Sequence, residues 1–187
     1  MDAEARGLRR YLERGGLIAY PTRAVFGLGC DPGNAQALRA LVRLKRRPLS
    51  KGMIVVADCE KRLHPFMAPL EAELWQRCRA TWPGAYTWLV PARTRLSHLL
   101  CGGSRGGIKK VALRHDDYPA VKKLCRRVQL ALVSTSANLA GKRPLKQARA
   151  CRLHFGAKIR VLEGRCMMHS NPSTIADLLT GKIVRQG

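Results

Sequence analysis

The stretch Leu44-Lys45-Arg46-Arg47-Pro48-Leu49-Ser50-Lys51 sets four cations, Lys45, Arg46, Arg47 and Lys51, around one proline. A guanidinium offers forked donors and an ammonium a compact charge, so cations converging on a short connection suit a chain of phosphates. The same residues also read as a basic helix end complementing its macrodipole on a solvated surface. A second set follows the apolar run Leu130-Ala131-Leu132-Val133: Ser134, Thr135, Ser136, Ala137 and Asn138. Short hydroxyl and amide groups lose little freedom on binding, and the carboxyl end of an α/β strand is where ligands sit. A hydrogen-bonded turn with a helix cap is the alternative. Arg114 and Arg185 each end a short apolar run, Thr22 follows Pro21, and Ser173 follows Asn171-Pro172. Lys45, Arg47, Lys51, Arg114 and Arg185, with Thr22, Ser134, Ser136, Asn138 and Ser173, make an inventory of cations and small hydroxyls. It suits positioning and charge stabilisation in phosphoryl or nucleotidyl transfer. It does not suit a covalent nucleophile.

Other chemistries lack their patterns. No G-x-x-x-x-G-K-[ST] phosphate loop occurs, and Gly27-Leu28-Gly29 lacks the third glycine and helix register of a dinucleotide fingerprint. His64, His98, His115, His154 and His169 are scattered without metal-ligand spacing. Cys30, Cys59, Cys78, Cys101, Cys125, Cys151 and Cys166 are odd in number, widely spaced and without C-x-x-C. They read as reduced thiols packed as small apolar residues, not as a disulfide framework or a zinc knuckle.

The elements that must hold these residues follow from periodicity. Residues 3–14 read as a helix with Leu8 and Leu12 on one face, stopped by Gly15-Gly16. A strand at 17–20 leads into a loop over 21–31. Asn34 caps a helix to about Lys45, and 53–57 is a strand, so the cations lie on a helix-to-strand connection. Strand, helix and strand predict a crossover unit and an α/β architecture. A short helix at 59–67, a longer one at 70–80 and a strand at 86–90 follow. Residues 91–107 form a long connection, and its glycine run 102–107 reads as a surface loop. Strands are expected at 108–114, 130–133 and 158–162. Helices are expected at 118–127 and 146–155. A turn enters a strand over 171–177, and 183–185 is a last strand. Lys122, Lys123, Arg126 and Arg127 make a cationic helix face, for a ligand or for solvent.

With 187 residues and 46% hydrophobic content, the chain is a globular single domain, 1–187, and not a basic disordered tail. No apolar run approaches the roughly 18–20 residues of a membrane span, and the N-terminus lacks a signal-peptide layout, so the cytoplasm is the expected compartment. Net charge is +23. The first 93 residues hold 16 Lys+Arg and 8 Asp+Glu, the rest 19 and 4. Such a surface attracts polyanions, tRNA or double-stranded RNA among them. Charge alone does not separate specific RNA binding from non-specific attraction.

The stretch AYPTRAVFGLGCD, the K-x-R-P of Lys45 to Pro48 with Lys51, the S-x-N of Ser136 to Asn138 within LVSTSANLAG, and the ending NPSTIAD…IVRQG together resemble the YrdC/TsaC family of threonylcarbamoyl-adenylate synthases. The resemblance is in order from about Gly16 to Gly187 and matches the short, single-domain form. It implies a twisted open α/β sandwich around a mixed β-sheet flanked by helices, with a concave positive face. It implies a reaction of L-threonine, bicarbonate and ATP to threonylcarbamoyl-AMP and pyrophosphate. Partner proteins then transfer the threonylcarbamoyl group to the adenosine beside the anticodon of tRNA. By resemblance, Lys45 and Arg47 are catalytic and, with Lys51, hold the ATP phosphates. Ser136, Asn138 and Arg185 contact the nucleotide, and Thr22, Arg114, Ser134 and Ser173 hold threonine. No residue is assigned to a metal, because carboxylates are few and Mg²⁺ would ride on phosphates and water. Four positions depart from the family pattern: Arg23 for an acidic residue, Ala85 for proline, Ala140 for serine, and Lys110 for a small or polar one. The competing expectation is a non-catalytic RNA-binding protein using the same concave face.

Overall fold

The computed structural model describes residues 2–102, 107–167 and 170–187, so Gly103 to Gly106 of the glycine run and His169 lie outside the described residues. Helix α1 (Ala3–Glu13) starts where the Asp2 carboxylate accepts the Ala5 N–H at 2.7 Å, and it buries Ala5, Leu8 and Leu12 on one side. Strands β1 (Ile18–Pro21) and β2 (Phe26–Gly29) form an antiparallel hairpin. Half of the expected loop over 21–31 is therefore strand. Its two glycines hide it, since glycine is a poor strand former, but packing demands them. A Cβ on Gly29 would lie 2.4 Å from the Val133 carbonyl oxygen and 2.7 Å from the Tyr20 ring.

Helix α2 (Ala35–Lys45) is capped by Asn34, which accepts the Ala37 N–H at 2.9 Å, and closes at Arg46 in the left-handed region. Strand β3 (Ile54–Ala57) follows the basic connection. The helix expected at 59–67 is two single 3₁₀ turns, Glu60–Arg62 and His64–Phe66. Then come α3 (Ala72–Arg79), β4 (Tyr86–Pro91), α4 (His98–Cys101) inside the long connection, β5 (Lys110–His115) and α5 (Pro119–Val128). The C-terminal third supplies β6 (Leu132–Ser136), α6 (Ala148–Phe155), β7 (Arg160–Val161), β8 (Thr174–Asp177) and β9 (Ile183–Arg185).

The nine strands make one mixed sheet in the order β7-β1-β2-β6-β3-β5-β4-β8-β9. β2 and β3 both run antiparallel to β6, which lies between them, so β2-α2-β3 is a parallel crossover that skips one strand. Strand alternation then sorts the side chains. Val111 and Leu113 of β5, Val55 and Ala57 of β3 and Val133 of β6 point into one core with Leu38, Leu41, Cys78, Cys151 and Phe155 from α2, α3 and α6. On the opposite face Ile18, Tyr20, Val56 and Leu132 pack under α1 and α5. Those two helices cover only part of that face. The remainder carries Ile54, Lys110, Ala112, Arg114 and Ser134 and stays open.

Candidate active site

The open part of the sheet is the floor of a cavity of about 800 Å³. Eight of the ten residues singled out from the sequence line it: Thr22, Arg47, Lys51, Arg114, Ser134, Ser136, Ser173 and Arg185. They arrive from different elements. Thr22 is on the β1–β2 turn, Arg47 and Lys51 on the α2–β3 connection, Arg114 on β5, Ser134 and Ser136 on β6, and Arg185 on β9. The hydroxyl cluster is thus the last half of a strand rather than a turn beyond it.

Lys45 and Asn138 stand behind the wall. Lys45 is only 2% exposed. Its Nζ donates to the Ser136 carbonyl, to the Asn138 carbonyl at 2.8 Å and to Asn138 Oδ1 at 3.0 Å. Asn138 Oδ1 also accepts the Ser136 hydroxyl at 2.7 Å, and its Nδ2 donates to the Lys142 carbonyl at 2.5 Å. The K-x-R lysine is therefore tied into the S-x-N loop that it was expected to accompany at the phosphates. Burial, and secondarily the nearby Arg47 charge, lowers its pKa to about 8. Arg47 is braced by its own connection, with Nε on the Lys51 carbonyl at 3.1 Å and Nη2 on the Gly52 carbonyl at 2.6 Å.

A second cationic group lines the same cavity. Arg114 is 8% exposed, and its Nη2 meets Asp116 Oδ2 at 2.5 Å while its Nε is buried without a hydrogen-bond partner. Arg185 donates through Nη2 to the Ser173 carbonyl at 2.6 Å, and the Ser173 hydroxyl pairs with Thr87 Oγ1 at 2.8 Å. Burial, then repulsion from Arg114, lowers the Arg185 pKa. Thr22 Oγ1 donates to the Val25 carbonyl at 2.6 Å, which closes the turn beside Gly27.

Two of the four departures acquire partners. Arg23 pairs with Asp117 at 2.5 Å and lies 5.9 Å from the Tyr118 ring centre. Lys110 pairs with Asp177 on β8. Both cations still line the cavity. Ala85 also lines it, while Ala140 is exposed; nothing in the structure explains either replacement. On α5, Arg126 reaches Asp58 at 3.4 Å and Arg127 pairs with Glu4, so half of that cationic face is used within the chain. Asp116, the one carboxylate among the described lining residues, is not among the residues expected from the sequence. Its signal was its position two residues beyond Arg114, in line with the same sheet face.

The family model for the Sua5/YciO/YrdC domain, described as "Telomere recombination", matches residues 10–187. The chain belongs to the Sua5/YciO/YrdC family. Among curated relatives, the threonylcarbamoyl-AMP synthase of Thiobacillus denitrificans is 50% identical over 179 residues, 96% of this chain and 93% of that protein. The enzyme of the same name from Methylobacillus flagellatus is 49% identical over 181 residues, 97% and 98% of the two chains. The Sua5/YciO/YrdC fold is also seen in the crystal structure of P. abyssi Sua5 complexed with L-threonine. That match has a TM-score of 0.85 at 24% identity, covering 97% of this chain and 53% of that longer one. E. coli YciO superposes with a TM-score of 0.81 at 19% identity over 98% of this chain and 89% of its own.

Proposed function

We propose that this chain is a threonylcarbamoyl-AMP synthase, forming threonylcarbamoyl-AMP and pyrophosphate from L-threonine, bicarbonate and ATP. The observation that carries the reading is one cavity lined by both cations and small hydroxyls: Arg47, Lys51 and Arg114 with Thr22, Ser134, Ser136 and Ser173. Arg47 and Lys51 suit a polyphosphate, and Arg114 suits an amino acid whose carboxylate meets a guanidinium. Near-identical length and about half-identical sequence in relatives of that name support it.

In the reaction, the threonine amine attacks the bicarbonate carbon, water leaves, and a carbamate forms. A carbamate oxygen then attacks the α-phosphorus of ATP and pyrophosphate departs, which makes the enzyme a nucleotidyltransferase. Both steps gather negative charge between the substrates, where fixed cations stabilise it without reorganising. Arg47 and Lys51 take the phosphates, and Ser136 contacts the nucleotide. Lys45 serves the nucleotide through Asn138 and the S-x-N loop. Arg114 takes the threonine carboxylate, while Thr22, Ser134 and Ser173 surround the rest of the amino acid. Arg185, bonded to Ser173, reaches toward the nucleotide where the two sites join. Mg²⁺ would come with ATP, held by its phosphates and water, and would shield the phosphate charge. Asp116 is held by Arg114, so the lining residues do not build a metal site, and no step is assigned to the ion.

The product then goes to partner proteins that load it onto the tRNA adenosine beside the anticodon, in the cytoplasm. Among the described residues, no helix is long and apolar enough to cross a membrane. The test is pyrophosphate release by the purified protein with ATP, threonine and bicarbonate, each withheld in turn. Release that needs all three, with the adenylate seen by chromatography, is the expected outcome. Folded protein that releases none while retaining RNA affinity would move the assignment to a basic RNA-binding module.

A further inference from the structure

Among the described cavity-lining residues, Asp116 is the one whose charge opposes all the other charged ones, and it is 2% exposed. A buried carboxylate in a pocket for a carboxylate-bearing substrate repels that substrate unless its charge is already engaged. Here it is engaged. Oδ2 forms an ion pair with Arg114 Nη2 at 2.5 Å without hydrogen-bond alignment, so this oxygen holds the guanidinium by charge, while Oδ1 accepts the Tyr118 N–H at 2.9 Å at the start of α5. The Asp116 N–H donates to the Ala57 carbonyl at 2.9 Å, so the backbone carrying the carboxylate is fixed to β3. The two oxygens thus do separate jobs, one anchoring the β5–α5 turn and one gripping Arg114.

Arg114 needs that grip. It shares the cavity with Arg185, and the two guanidiniums repel. With Nη2 held, the Arg114 Nε stays buried and without an acceptor, an arrangement that costs stability until an acceptor arrives. A substrate carboxylate supplies one. We propose that Asp116 is a positioning residue for the amino-acid substrate: it aims the Arg114 guanidinium so that its open N–H groups meet the incoming carboxylate. The proposal rests on the synthase reading above and adds a residue that acts through Arg114 rather than on the substrate.

Asp116→Asn separates the two jobs, because an asparagine keeps an oxygen for the Tyr118 N–H and loses the charge that holds Arg114. The expected result is a threonine KM raised about tenfold or more, with the ATP KM within about twofold and kcat little changed. Calorimetry with L-threonine completes the cycle. Arg114→Lys should weaken threonine binding, and adding Asp116→Asn to it should weaken binding no further. Equal rises in the threonine and ATP KM values would overturn the proposal, as would an Asp116→Asn effect that multiplies in full on top of Arg114→Lys. Arg114→Lys with unchanged threonine affinity is a different failure, since it removes the amino-acid site from Arg114 altogether. Where the asparagine variant does not fold, Asp116→Ser, which also offers Tyr118 an oxygen, is read by the same two KM values.

Discussion

Lys45 shows how a buried cation can brace a cavity wall from behind. Three acceptors of the S-x-N loop face one ammonium, and the cavity receives Ser136 already aligned. Burial lowers the Lys45 pKa to about 8, against an ordinary 10.5. As pH rises through 8, the folded protein releases this proton while the unfolded chain keeps it, so this group's contribution to stability improves between about 8 and 10.5. The neutral amine has one donor fewer for the same three acceptors, so the loop loosens over that range. ATP affinity should therefore fall by about fivefold from pH 7 to pH 9, the order expected for one lost hydrogen bond. Lys45→Gln should flatten that profile at a weaker affinity. A wild-type profile as flat as the variant's would rule the clamp out. Spacing along the chain revealed which residues share an address and left their depth open. Lys45 and Asn138 belong to the site's support, and Asp116, next to Asp117 in a turn-like stretch, reads in sequence as solvated.

At the scale of elements, β2 shows why part of the scaffold is illegible from residue preferences. Gly29 leaves the space that the Tyr20 ring crosses to donate its hydroxyl to the Val133 carbonyl at 2.9 Å, tying β1 to β6 over the top of β2. Gly27 leaves the cavity floor flat between Thr22 and Ser134. Their substitutions should part company. Gly29→Ala drives a methyl against backbone and should lower the urea-unfolding free energy by about 1–3 kcal/mol. Gly27→Ala meets the Thr22 methyl at 2.9 Å, and Ser134 Oγ and the Tyr20 ring at 3.6 Å each, all side-chain atoms, so the fold should hold while the threonine requirement rises. Melting curves and threonine KM values for the two proteins check both. Helices α1, α2 and α5, by contrast, were plain in the sequence, because apolar spacing and the Asn34 cap act locally.

For the molecule as a whole, the α/β class followed from alternating apolar runs and amphipathic segments. The strand order did not, because it depends on pairings that no local pattern encodes. β1 lies between β2, its neighbour in sequence, and β7, which pairs Ile18 with Arg160. β2 pairs Gly27 with Ser136, and β4 pairs Tyr86 with Thr174. The open face of the sheet likewise follows from where α1 and α5 stop, not from any motif.

Those distant pairings also govern the order of events at the ribosome. β2 has left the tunnel long before β6 exists, a wait of roughly 5–20 s at about 5–20 residues per second. Through that interval an apolar hairpin has no partner on its far edge, which exposes it to chaperones and to pairing with other chains. Ribosome-stalled chains that present residues up to Gln129, short of β6, should remain protease-sensitive, and those presenting Arg185 should become resistant. Equal resistance at both lengths would mean that the N-terminal strands find a stable arrangement by themselves. Because the cavity lining comes from strands made first and last, a ligand cannot rescue a half-made chain, and ligand protection begins only with the finished sheet.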